Sequence, residues 1–537
     1  MTRQQTSKLK SILEKETGYT IKHGGFKFAL TYPNFYRVGM SNLGLHIIYQ
    51  LLNNRADTSC ERFFLPESNV DEMPLSIETQ TPLNRFNAVG FAISFEQDYF
   101  NVVKIVKRGK IPVKSNQRTD FDPILIAGGP CATFNPAPLS SIFDAFVIGE
   151  GEVILPPLMD VLTSNKNLPR ADLLQKISEV QGVYVPGYTK NFPVNRQFVK
   201  NLDEHPAHSV IITDDTEFNM YLLETARGCG RHCRFCMAGY CFRRPRNRSL
   251  KTLQKVIDDA KIYGKKFGLM GAAISDYPQI NELCKYILDA GQTMSVASFR
   301  ADSVTAELVD ALAKSGLKTL TIAPEVGSEK MRRVTNKGIT EENVFDAVKL
   351  GIDAGIKNFK LYFMIGLPFE EMTDVDEIAE LVIKLKNFVA DGKFTLSVNP
   401  FIPKPFTPFQ WAAMADKKYL NAALKNLRGK LKSFRDIEII SESLKSARVQ
   451  AILSRGDEKL SDLVADADSP QKFLELMKSA GIDENFYTGE RKFDEVFAWD
   501  IINQGVTKKY LRQEYQRAAQ FKYTPPCFDG CKRCGVC

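Results

Sequence analysis

Short apolar runs alternate with amphipathic stretches over most of this chain, and the alternation comes in two series. In the first, residues 26–32, 89–95, 124–127 and 145–148 are rich in β-branched and aromatic side chains and predict strands, while 43–53 and 99–108 predict helices. Strand then helix, repeated, predicts an α/β domain over residues 1–165 built on a doubly wound parallel sheet. Ligands of such sheets bind beyond the carboxyl ends of the strands. Two of these ends are glycine-rich, at Gly128-Gly129-Pro130 and at Gly149-Glu150-Gly151, a pattern a tight turn also requires for its own sake. From 166 to 216 the pattern loosens around Pro169, Pro186, Pro193 and Pro206 and predicts a hairpin and linker. The second series predicts strands at 221–225, 267–270, 295–298, 319–322, 358–364 and 395–399, with helices at 253–263, 280–290, 306–315, 341–354 and 374–389. Six such strands over 217–410 predict an open, partial (β/α)6 barrel, with its chemistry on the loops after the strands. Residues 411–537 predict a small, mostly helical extension, Lys-rich near 419–433, that closes in a cysteine-dense tail.

Composition adds scale and address. The chain has 537 residues, 44% of them hydrophobic and 25% charged, which suits two or three globular domains. The polar first 20 residues lack a secretory pattern and no apolar run reaches membrane-spanning length, so the cytoplasm is the expected location and no membrane partner is expected. Thiols stay reduced there, and clustered cysteines read as metal ligands. Seven of the eleven cysteines form two groups, Cys229/Cys233/Cys236 and Cys527/Cys531/Cys534/Cys537; Cys60, Cys131, Cys241 and Cys284 stand apart. A net charge of +8 is modest for this length and compatible with, but not diagnostic of, an RNA or acidic partner.

The first group carries the chemistry. Thiolates at spacings of four and three residues can take three irons of a cubane from one loop and leave a fourth iron open to a small chelating molecule. Catalytic zinc usually recruits histidine or carboxylate instead; His232 lies inside the loop, beside Cys233. The pattern C-x3-C-x-Φ-C, with Phe235 before the last cysteine and the loop following the first barrel strand, resembles the cluster motif of the radical S-adenosylmethionine (SAM) superfamily. The longer match resembles a subgroup with an N-terminal cobalamin-binding-like domain and a C-terminal cysteine cluster. It runs through Gly271-Ala-Ala-Ile-Ser-Asp276, Ser298-Phe-Arg-Ala-Asp302, Thr321-Ile-Ala-Pro-Glu-Val-Gly-Ser328, Tyr362-Phe-Met-Ile-Gly-Leu-Pro368 and Asn399-Pro-Phe-Ile-Pro-Lys-Pro405, one block per strand end.

The resemblance implies that Cys229, Cys233 and Cys236 hold a [4Fe–4S] cluster whose fourth iron is chelated by the amino and carboxylate groups of SAM. Phe235 would lie near the adenine, and Gly271, Ala272 and Ala273 would form the backbone approach to the methionine amino group. The family's usual acidic third residue there is Ala273, with Ser275 and Asp276 as substitutes. Ser298, Arg300 and Glu325 are the implied ribose and carboxylate contacts; the alternative for Arg300 and Glu325 is an internal salt bridge. One-electron cleavage of SAM would start hydrogen abstraction from a substrate, with methyl transfer as one outcome and a flavodoxin or ferredoxin as electron donor. Protein, RNA and small-molecule substrates stay open. Seven arginines between Arg227 and Arg248, with no acid among them, suit an anionic cluster, a phosphate groove or a solvated face.

The loop after the first strand, residues 32–44, lacks the D-x-H-x-x-G pattern of cobalamin domains that supply a histidine ligand, and His46 comes too late in it, so cobalamin stays open. Methylthio-transferring relatives carry three N-terminal cysteines, whereas this chain offers only Cys60 and Cys131 there. The tail repeats the four-then-three spacing and adds Cys537, a donor set for a second iron–sulfur cluster or a zinc ion. Two rival readings remain. One is a non-catalytic RNA- or ribosome-binding protein with two structural zinc sites. The other is an electron-transfer protein whose first cluster is closed by Cys241.

Overall fold

The computed structural model describes residues 3–67, 72–205, 207–528 and 530–536. Pro206 and the expected tail ligand Cys537 lie outside the described residues. The chain divides into two units: Met1–Leu222 with Ile452–Tyr487 and Val496–Gln504, and Leu223–Ala451 with Thr488–Glu495 and Gly505–Cys537. Among the described residues no helix is long and apolar enough to cross a membrane.

The first unit is built on β1 (Phe26–Tyr32), β2 (Thr58–Phe64), β3 (Ala88–Ala92), β4 (Ile124–Gly128), β5 (Ala145–Val147) and β6 (Val183–Tyr184). Their order is β2-β1-β3-β4-β5-β6. The first five are parallel and β6 runs antiparallel to β5. This is the expected doubly wound sheet, with its strand order reversing between β1 and β3, where such folds bind ligands. Helices Leu43–Asn53 and Gly151–Ser164 bury Leu45, Tyr49, Leu52, Ile154 and Leu158 in one core with Phe28 and Leu30 of β1. Each such side chain contributes about 1.5–3 kcal/mol by leaving water.

The sequence pattern did not predict β2, and the reason is electrostatic. β2 reads Thr-Ser-Cys-Glu-Arg-Phe-Phe, yet all seven of its residues are buried. Arg62 is held there by Glu16 at 2.6 Å and Glu78 at 2.7 Å, so its charge goes inside with two carboxylates. The glycine turn after β4 is required by its own geometry. Gly129 has φ +92°, and a Cβ there would come within 2.7 Å of the Ile93 carbonyl oxygen.

The second unit carries the barrel strands: β7 (Met220–Glu224), which leads into it, β8 (Lys266–Met270), β9 (Met294–Ser295), β10 (Thr319–Glu325), β11 (Asn358–Ile365), β12 (Lys393–Pro400) and β13 (Ile437–Ile440). They form the ladders β9-β8-β7 and β10-β11-β12-β13, joined by a parallel bridge between Phe299 and Ile322. Among the described residues the barrel is therefore open, as expected, but runs to seven strands because β13 extends it beyond the predicted six. Ser249, Thr305 and Thr340 start the helices after them by accepting a backbone N–H three residues on. Burial alternates strictly along β10 and β11. Leu320 and Phe359 face the helix Glu341–Asp353, where an added Cβ at Gly351 would meet both side chains within 3.0 Å. Thr321, Ala323, Tyr362 and Met364 therefore line the opposite, half-open face.

Candidate active site

The first cysteine group sits on a loop that β7 throws out and a carboxylate pins at its base. Glu224 accepts from Arg227 at 3.0 Å and from Arg248 at 2.6 Å, so one side chain ties both ends of the loop. The short antiparallel pair Ala226–Arg227 with Arg246–Asn247 closes it. Immediately before the first thiol, Gly228 has φ +85°, and a Cβ there would come 2.0 Å from the Phe242 carbonyl oxygen. No other residue type fits that close approach unstrained.

Within this frame the three sulfurs are near enough to feel one another. Burial pushes the Cys229 thiol up, and burial with the Cys233 and Cys229 sulfurs pushes Cys236 up to about 12. Ligation therefore displaces protons from these thiols. The Cys236 N–H donates to the Cys233 carbonyl at 3.1 Å, and the Arg231 N–H reaches Cys229 Sγ at 3.4 Å. Arg300 Nη1 lies 3.7 Å from Cys233 Sγ. Three thiols of one loop, with cationic donors beside them, suit an anionic cubane that takes one thiolate per iron. Among the described residues no three histidine, cysteine or carboxylate side chains converge as a single-ion site would require.

The other expected residues collect around the same loop. Gly271 and Ala272, directly after β8, are exposed and leave their backbone open to approach; Ala273 is half-buried. Ser275 Oγ pairs with Ser303 Oγ at 2.8 Å. Asp276 is committed to Arg231 at 2.7 Å. Ser298 is exposed, and Phe235 packs half-buried against the cluster containing Val326, Val334 and Phe409. Arg300 donates to Asp302 at 3.0 Å and to the Lys337 carbonyl at 2.7 Å, and Lys337 Nζ meets Glu325 at 2.8 Å. Arg300 and Glu325 are thus both in ion pairs, though not with each other. Glu325 holds φ +70° at a register shift in β10, a conformation that a non-glycine residue adopts at a cost.

Sequence reasoning missed Lys337, which has no motif around it, and the sharing of Asp302 between Arg300 and Arg231. It also left the arginines open. Six of the seven, Arg227, Arg231, Arg234, Arg243, Arg246 and Arg248, are engaged with carboxylates, carbonyls or ring nitrogens inside the unit. Arg234 is fully buried against Glu514 at 3.1 Å. The tail is sewn to this loop: the Cys527 N–H donates to the Gly230 carbonyl at 2.9 Å, and Cys531 and Cys534 are buried. Cys241 is also buried.

In the first unit, His46 is 2% exposed, with Nε2 on the Met40 carbonyl at 3.0 Å and Nδ1 accepting the Val210 N–H at 3.2 Å. Both ring nitrogens are engaged in packing, so His46 does not serve as a ligand. At the strand-order reversal, Phe35 and Phe95 are exposed. Buried Asp98 beside them accepts from Asn34 and Asn101, and burial pushes its carboxyl up to about 6. Cys60 on β2 and Cys131 after β4 are both buried.

Comparison with known proteins agrees with this geometry. The family model described as the radical SAM superfamily matches residues 223–382, and that of radical SAM proteins, N-terminal, matches 44–186. An uncharacterized protein of Methanocaldococcus jannaschii is 31% identical over 88% of this chain and 98% of its own length. An uncharacterized methyltransferase of Pyrococcus horikoshii is 26% identical over 55% of this chain and 64% of its own. A putative methylthiotransferase of M. jannaschii is 28% identical over 33% of this chain and 40% of its own. The radical SAM methyltransferase TsrM from Kitasatospora setae, solved with cobalamin and a [4Fe–4S] cluster, superposes with a TM-score of 0.54 at 12% identity, covering 85% of this chain and all of that one. With the superfamily model matching residues 223–382, which hold the cysteine loop and the four strand-end blocks from Gly271 to Pro368, this chain belongs to the radical SAM superfamily.

Proposed function

We propose that Cys229, Cys233 and Cys236 hold a [4Fe–4S] cluster, that SAM binds beside it along Gly271–Ala273, and that one SAM is split to abstract hydrogen from a substrate while a second SAM supplies a methyl group and leaves as S-adenosylhomocysteine. The observation that carries this reading is the set of three thiols at four-then-three spacing on one loop pinned by Glu224, with Arg300 Nη1 3.7 Å from Cys233 Sγ. When bound and reduced, such a cluster supplies the electron that splits the SAM sulfonium into methionine and a 5′-deoxyadenosyl radical.

The chain's own residues do the rest. Arg300, Lys337 and Arg231 offset the negative charge of the thiolate-ligated site, while Asp302, Asp276 and Glu325 hold those cations in place. Gly271 and Ala272 leave space for the ligand's amino group, and the half-buried Phe235 ring offers an apolar wall for a base. The half-open face carrying Thr321, Ala323, Tyr362 and Met364 is where a substrate would enter a barrel of this kind.

Methyl transfer is supported by the similarity to a methyltransferase and by a first unit of the fold that cobalamin enzymes use. Cobalamin would bind that unit without His46 as its ligand, because both ring nitrogens of His46 are engaged. Methylthio transfer is disfavoured: the first unit has only two cysteines, both buried on separate elements. The test is anaerobic reconstitution with iron and sulfide, reduction with dithionite, and assay of 5′-deoxyadenosine from SAM. Parent protein is expected to form it and Cys233→Ala to form none. Equal yields from the two would exclude this loop as the site.

A further inference from the structure

We propose that Cys527, Cys531 and Cys534 hold a second iron–sulfur cluster, tuned by hydrogen bonds from His232 and Arg243 to the Cys527 sulfur, that passes electrons to the cluster on the Cys229 loop. This rests on the reading that the Cys229 loop carries a cluster.

The tail is a built site. Its cysteines repeat the four-then-three spacing of the first loop. Thr507 N–H donates to the Cys534 carbonyl and Cys531 N–H to the Phe528 carbonyl, each at 3.0 Å. Gly535, at φ +89°, lets the chain pass Thr507, whose Cγ2 an added Cβ would meet at 2.8 Å. N–H groups aim at the sulfurs: Arg533 Nε lies 3.1 Å from Cys531 Sγ, Arg243 Nη1 3.7 Å and His232 Nε2 3.4 Å from Cys527 Sγ. A neutral thiol accepts weakly, whereas a metal-bound thiolate is an anion that accepts from several cationic donors.

The role of His232 follows from its other nitrogen. Arg243 Nη2 lies 3.0 Å from His232 Nδ1, and a guanidinium has no lone pair with which to accept. Nδ1 is therefore the acceptor, approached also by Tyr510 Oη at 2.5 Å, and the ring proton sits on Nε2, aimed at Cys527. A metal-ligating imidazole needs the reverse, a bare Nε2 and a protonated Nδ1 facing an acceptor. His232 is thus a donor to the sulfur. It is also the residue next to Cys233, so the Cys527 sulfur stands one hydrogen bond and one residue from a ligand of the first cluster. That path has a use for a redox cluster and none for zinc. One electron would leave a reduced flavodoxin- or ferredoxin-type protein, which is oxidised by one electron, reside at the tail site and move on to the loop site.

The test uses the full chain, reconstituted without oxygen, in four forms beside the parent: Cys233→Ala, the double variant Cys531→Ser with Cys534→Ser, His232→Gln and His232→Leu. Iron and sulfide in the parent should be about twice those in the tail variant. The tail variant should keep dithionite-driven 5′-deoxyadenosine formation while losing the reaction driven by a reduced flavodoxin. His232→Gln should keep both the iron and the potential of the tail signal, and His232→Leu should keep the iron but shift that potential more negative. Equal iron in parent and tail variant, zinc in the tail, or unchanged flavodoxin-driven turnover overturns the proposal. Loss of tail iron in both His232 variants would make His232 a ligand and overturn its donor role. Failure of the first-cluster reading is separable, since Cys233→Ala would then lose no iron.

Discussion

At the scale of single residues, charge placement carries the chemistry. Arg300 is locked by Asp302 and the Lys337 carbonyl, so its Nη1 approaches Cys233 Sγ with little freedom. Replacing it with Leu removes a positive charge beside the cluster proposed on that loop. Arg300→Leu is expected to retain iron, show a more negative cluster potential, and form 5′-deoxyadenosine at least about tenfold more slowly, about 1.4 kcal/mol in barrier. Potentiometry followed by EPR checks it. In the first unit, burial holds His46 at about 4 against 6.5 when unfolded. Between those values the unfolded chain binds more protons than the folded one, so stability falls as pH drops from 6.5 to 4, by on the order of 3 kcal/mol for the whole shift. Asp98, raised from 3.8 to about 6, works oppositely: its stabilisation is complete below pH 3.8 and lost as pH rises through 6. The measurement is therefore the difference between parent and His46→Gln in urea unfolding, which should shrink as pH falls from 6.5 to 4. A pH-independent difference would mean His46 is not buried neutral.

At the scale of elements, the cysteine loop depends on backbone geometry as much as on thiols. Gly228→Ala places a Cβ against the Phe242 carbonyl at φ +85° and should cut bound iron well below the parent value while all three cysteines remain. Arg62→Leu leaves Glu16 and Glu78 buried without their cation. It should destabilise the first unit by about 3–5 kcal/mol, read as an early unfolding transition. The same arginine explains why β2 escaped sequence reading, since a strand with adjacent Glu61 and Arg62 carries no apolar alternation, although both side chains are buried. β13 escaped for the opposite reason. It is a four-residue edge strand, half-buried and exposed by turns, within a Lys- and Arg-rich stretch that reads as helix. The longer strands β10 and β11 were legible because their alternation is complete and the helix Glu341–Asp353 between them begins at a Thr340 cap.

At the scale of the whole molecule, the α/β class, the doubly wound sheet, the open barrel and the three loop cysteines were legible from spacing and periodicity. The charge network was less so, because Lys337 and Asp302 belong to it through contacts and not through a motif. The meeting of Cys527 with His232 was not legible at all, since 295 residues separate them and only folding brings tail and loop together. The central claim is that the loop cluster has an iron open to SAM, and EPR of the reduced tail variant, Cys531→Ser with Cys534→Ser, tests it without a second signal. Addition of SAM is predicted to change the cluster's g-values, and Cys236→Ser in the same background should show no such change. A full-strength cluster signal that SAM leaves untouched would contradict the account.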